Sequence, residues 1–88
     1  MAALVNIPAD TWVDLYAASG ITVGTQLSAQ VQGSGVEVKI QTSATQPTEL
    51  SGVVLKSSLG MQAVNKAGSV GEWAYSVGTE AALYVSES

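Results

Sequence analysis

Strict alternation of apolar and polar residues is the strongest constraint in this chain. In LSAQVQ (27–32), Leu27, Ala29 and Val31 alternate with Ser28, Gln30 and Gln32. In VEVKIQ (36–41), Val36, Val38 and Ile40 alternate with Glu37, Lys39 and Gln41. Successive side chains of a strand point to opposite faces, so a period of two marks strands with one inward and one outward face. Gly33-Ser34-Gly35 between them tolerates positive φ, which predicts that the two strands close into a hairpin.

Shorter segments repeat the pattern. ALVNI (3–7) reads as a strand stopped by Pro8. ADTWVDLYAASG (9–20) has helical spacing at Trp12, Leu15 and Tyr16, with Asp10 as a possible cap. Its β-branched and aromatic residues favour a strand, and Gly20 ends the element either way. TSATQPTELSG (42–52) is a polar loop, because Pro47 and the Ser/Thr cluster argue against a central strand. VVLK (53–56), MQAVN (61–65), EWAYSV (72–77) and AALYVS (81–86) follow as strand candidates, separated by turns at 57–60, 66–71 and 78–79. The SES tail is expected to fray. VGTQLSAQV (23–31) and VGTEAALYV (77–85) echo each other, as a shared turn-then-strand grammar. About seven or eight short strands at this spacing predict an all-β fold, an antiparallel sandwich or small barrel, with residues 1–88 as one domain.

A chain of 88 residues has a modest core. It has no cysteine, so neither disulfides nor a thiolate metal site can reinforce it. Only 11% of the residues are charged, against about a quarter in ordinary soluble domains. Ser, Thr and Gln supply the polar cover instead. A surface so poor in ions suits contact with other protein better than life as a free monomer. Seven acidic residues face three lysines, Lys39, Lys56 and Lys66, with no arginine or histidine. They form no basic face for nucleic acid or an anionic membrane. No apolar run approaches a membrane span, and 1–7 lacks the pattern of a signal peptide.

Reactive constellations are missing. Histidine and cysteine, the usual base and thiol nucleophile, are absent. Lys56 precedes Ser57 and Ser58, but neighbouring side chains in a strand or turn diverge. Asp10 and Asp14 are an acidic pair without the spacing of a calcium loop, and read as a solvated turn residue and an outward strand residue. The glycines form no phosphate cradle. These patterns point to a protein that is not an enzyme and holds no cofactor or metal.

Of the aromatics, Trp73 and Tyr75 stand two apart and share a strand face. Exposed, they would anchor a partner or stack on a sugar. In a chain with little other bulk, burial of Trp73 in the core is the favoured expectation. The candidate partner contacts are the outward Gln30, Gln32, Glu37, Lys39 and Gln41, together with Trp73 and Tyr75. The strands 3–7 and 81–85 are candidates for strand addition between subunits.

Three segments, TWVDLYAASGITVGTQL (11–27), QVQGSGVEVKIQTSATQPT (30–48) and NKAGSVGEWAYSVGTEAALYV (65–85), carry a family likeness. The order of a Leu-Tyr-Ala segment, Gly-Thr before a strand, a Ser-Ala-Thr-Gln-Pro-Thr loop and Gly-Glu-Trp-Ala-Tyr resembles small virion proteins of tailed bacteriophages. Ala29 and Gln30 stand where that pattern favours bulkier apolar residues. The resemblance implies a non-enzymatic particle protein, assembled in the host cytoplasm into the virion. It implies many copies, a symmetric oligomer such as a trimer, and major capsid or tail proteins as partners. A capsid decoration or cement role is the first expectation, and a tail or head–tail connector the second. A carbohydrate- or receptor-binding β-module using Trp12, Trp73 or Tyr75 is the rival from a different class.

Overall fold

The computed structural model describes residues 2–32, 37–49, 53–56 and 62–87. In chain order the elements are β1 (Ala2–Ile7), β2 (Trp12–Asp14), α1 (Leu15–Ser19), β3 (Leu27–Gln32), β4 (Glu37–Thr42), β5 (Val53–Lys56), β6 (Gln62–Val64), β7 (Glu72–Ser76) and β8 (Ala81–Glu87). They form two antiparallel sheets, ordered β1-β8-β3-β6 and β2-β7-β4-β5, packed as a sandwich. The expected all-β sandwich is the observed fold.

The strands at 27–32 and 37–42 are where the alternation placed them, but they do not pair with each other. β3 lies between β8 and β6, and β4 lies between β7 and β5 in the other sheet. The hairpin expectation is therefore corrected: the chain changes sheet between Gln32 and Glu37. Alternation specifies that each strand turns its apolar side to the core. It does not specify whether the two strands share one sheet or face each other across that core. The Gly33–Gly35 turn and Val36 lie outside the described residues, as do 50–52 of the polar loop and the turn at 57–60.

The core lies between the sheets. Val5, Ile7, Leu27, Ala29, Val31, Leu83 and Val85 come from the first sheet, and Val38, Ile40 and Ala74 from the second. On β7 the inward positions are Glu72, Ala74 and Ser76, all buried, while Trp73 and Tyr75 are half-buried on the outside. The expected burial of Trp73 in the core is thus reversed. The physical reason is space. α1 packs against β1, β2 and β7 and inserts Leu15 and Tyr16 into the interior, where small side chains on β7 leave room.

The 9–20 segment is half strand and half helix. Asp14, not Asp10, caps α1: its Oδ1 accepts from the Tyr16 N–H at 3.0 Å and the Ala17 N–H at 3.3 Å. Gly20 closes the helix with φ 78°, a left-handed conformation that glycine adopts without strain, and donates its N–H to the Tyr16 carbonyl at 3.0 Å. At the other end of the chain, Ser86 and Glu87 do not fray. They extend β8, where Glu87 pairs with Leu27.

A buried network ties the helix to the sheet. The Tyr16 hydroxyl donates to the Thr25 carbonyl at 2.6 Å and accepts from Asn65 Nδ2 at 3.0 Å. Asn65 Oδ1 accepts the Leu27 N–H at 2.6 Å, and the Asn65 N–H donates to the Leu27 carbonyl at 3.2 Å. One side chain thereby satisfies the start of β3 and orients the only phenol in the core. Replacing Asn65 with Ala leaves the Leu27 N–H unpaired, which costs about 1–3 kcal/mol. The expected outcome is a lower urea midpoint with an unchanged m-value, followed by circular dichroism.

Candidate functional site

The pleat sorts the outward residues into two faces on opposite sides of the sandwich. On the first sheet, cross-strand pairing sets Leu4 beside Tyr84 and Tyr84 beside Gln30. Asn6, Ala82 and Gln32 form the next rung. On the second sheet, Trp12 pairs with Tyr75 and Tyr75 with Lys39, while Asp14 pairs with Trp73 and Trp73 with Gln41. In the β4–β5 register Glu37 is paired with Lys56.

The seven contact positions expected from the sequence are therefore not one surface. Gln30 and Gln32 are exposed on the first sheet. Glu37, Lys39, Gln41, Trp73 and Tyr75 are half-buried and gathered on the second. Sequence reasoning missed Leu4 and Tyr84, which flank Gln30. Their signal was present: ALVNI and AALYVS carry an apolar residue on the outward as well as the inward side of the alternation.

Strand addition also resolves differently from expectation. β8 lies between β1 and β3, paired on both sides, so 81–85 presents no free edge. Among the described residues, β1 is at the border of its sheet and keeps one edge unpaired.

The second face is aromatic with polar neighbours. The Trp12 and Tyr75 rings lie with centroids 5.2 Å apart, tilted by 55°, a geometry in which ring edges meet ring faces favourably. The Trp73 indole N–H donates to the Ser43 carbonyl at 3.0 Å, which ties Ser43, where the polar loop begins, to the first residues of β7. Gly71 belongs to this junction: a methyl carbon there would overlap the Ser43 carbonyl oxygen. Beneath it, the Glu72 carboxylate is buried and satisfied by the Thr42 and Ser69 hydroxyls.

Asp10 holds the other end of the face. Its φ of 53° is left-handed, a region that Asp tolerates better than most residues. Its Oδ1 accepts the Gly78 N–H at 2.9 Å and the Tyr75 hydroxyl at 3.3 Å. Desolvation, the adjacent Asp10 charge and this hydrogen bond together raise the Tyr75 phenol above its ordinary value. Asp10 and Asp14 thus have separate structural partners, a turn with a phenol and a helix cap, and do not converge on a common point. Among the described residues, no three acidic, His or Cys side chains cluster where a metal ion would be held. No helix among them is long and apolar enough to cross a membrane.

Because the native state holds the Tyr75 proton above the usual tyrosine range, stability that depends on it is intact below about pH 10 and declines as pH rises through the raised value. Asp10→Asn removes the charge and is expected to move that titration downward. The ultraviolet tyrosinate absorbance of the variant, compared with Tyr75→Phe to isolate the signal, measures it.

Comparison of the chain with family models, with curated proteins and with solved structures finds no match in any of the three.

Proposed function

We propose that this chain is a non-enzymatic structural protein of a tailed-bacteriophage particle, present in many copies as a capsid decoration or cement protein. Its work is to bury surface against major capsid proteins and against its own copies. A tail or head–tail connector position is the alternative within the same class. The observation that carries this proposal is the uncharged outer face formed by β1, β8 and β3. Its outward positions on β1, β8 and β3 are Ala, Leu, Asn, Tyr, Ser and Gln, without a charge between Ala2 and Asn6, Ala82 and Ser86, or Ser28 and Gln32.

A face of this kind suits broad, partly wet protein contact. Neutral amides and hydroxyls form hydrogen bonds to a partner or bridging water without the desolvation cost of ions. Leu4 is 66% exposed and Tyr84 is 46% exposed, and tyrosine is among the residues that most often anchor an interface. The likeness of three segments to small phage virion proteins supports the same assignment, as does the low charge of the whole chain.

The test is reconstitution. Purified chain is added to phage particles that lack it, and binding is followed by co-sedimentation and cryo-electron microscopy. Saturable binding at regular lattice positions, with raised resistance of the particle to heat, is expected. A chain that joins no head or tail assembly at any concentration overturns the proposal.

One observation favours a second class. Trp12, Trp73 and Tyr75 share the outer face of the second sheet beside Lys39 and Gln41, a combination that stacks on and hydrogen-bonds to sugars. If this face binds carbohydrate, a glycan array gives a positive signal that Trp12→Ala abolishes while particle binding persists. If it serves only the particle, the array is blank.

A further inference from the structure

Sheet edges are normally guarded, and three of the four in this sandwich are. β2 and β6 are three residues each and β5 four, too short to template a long ladder. β1 differs. It runs six residues, Ala2–Ile7, in unbroken register with β8 and with no charge, proline or bulge. Every second residue of its backbone turns its N–H and C=O away from β8.

We propose that β1 pairs antiparallel with β1 of a second copy, about a two-fold axis at Leu4, to make one continuous eight-stranded sheet across a dimer. Two constraints select this occupant and register. The chain has a formal charge of −4, so two copies repel except where a surface carries no charge. The β1 strand and the outward positions of β8 beside it form such a surface, with the Glu80 carboxylate, hydrogen-bonded to Asn6, confined to one end. The second constraint is the pleat: a two-fold placed on a residue keeps outward side chains opposite outward ones, whereas a shift of one residue would set core positions against the solvent face.

Of the two central registers, the one at Leu4 sets Leu4 against its own copy, Ala3 against Val5, and Ala2 against Asn6. The most exposed large apolar side chain among the described residues is then covered, and the row Gln30–Tyr84–Leu4 continues into its mirror in the partner. A two-fold at Val5 would instead oppose Leu4 with Asn6 and bring the two Asn6–Glu80 ends closer together. The Leu4 register holds those carboxylates apart. This contact is independent of whether the dimer decorates a virion.

The experiment uses the purified full chain. Sedimentation velocity over a concentration series is expected to show a monomer–dimer equilibrium. Leu4→Lys places like charges directly opposite each other and weakens the dimer by at least about tenfold. Val70→Lys, at a similarly exposed valine in the 66–71 turn, leaves it unchanged. Circular dichroism establishes that both variants are folded. Register is read by oxidation with diamide, because the chain has no cysteine of its own. Leu4→Cys links to its copy, since directly opposed strand residues lie within disulfide range. Asn6→Cys, offset by about 13 Å from its copy, does not. A monomer at all concentrations, a dimer insensitive to Leu4→Lys, equal weakening by Val70→Lys, or a link at Asn6 in place of Leu4 overturns the inference. A dimer of this kind that binds no particle would uphold it and count against the virion function alone.

Discussion

Everything in this sandwich is organised around one long-range pairing, β8 inserted between β1 and β3. The strand formed last in the chain joins the first to the third, and its inward Ala81, Leu83 and Val85 sit in the middle of the core. Without it, β1 has no partner in the sheet, and β3 keeps only the three-residue β6. The contacts that hold the fold are therefore mostly distant in sequence. Their loop-closure entropy must be spent before they reward the chain, which makes for slow folding compared with a helical protein of this size.

The second sheet depends on this arrangement through α1. Leu15 and Tyr16 are buried in the core from a helix that packs against β1, β2 and β7, and the Tyr16–Asn65 network binds that helix to the entry of β3. Because the interior is filled from the helix, β7 is free to turn its large aromatics outward. The consequence is a molecule with two unlike faces. One is neutral and amide-rich around Leu4 and Tyr84. The other is aromatic, with the Trp12–Tyr75 pair bordered by Asp10, Lys39 and Gln41.

Much of the secondary structure was legible because the side-chain period is local. Ala29, Val31, Val38 and Ile40 are inward as their alternation requires, and the Val-Gly-Thr echo marks two turns that lead into β3 and β8, which prove to be sheet neighbours. Asp14 was harder to read. A single Asp followed by Leu-Tyr-Ala-Ala-Ser fits an outward strand residue and a helix cap equally, and only the packing of Leu15 and Tyr16 under β7 decides between them. The face of β7 was misread for a related reason. Bulk is a good guide to burial only when nothing else competes for the interior, and here α1 does. Gln30, Gln32, Glu37, Lys39 and Gln41 were each recognised as outward, yet nothing local says that Gln30 and Lys39 occupy opposite sides of the molecule.

By itself the sequence determined the strands, the inward and outward sides of most of them, and the scarcity of charge and reactive groups, because each is a property of residue type and nearest-neighbour spacing. Tertiary structure alone decided that β3 and β4 part company into different sheets, that β8 is enclosed while β1 keeps an edge, and which outward residues share a face. Those outcomes follow from competition among distant segments for one small core, and no local period encodes who wins it.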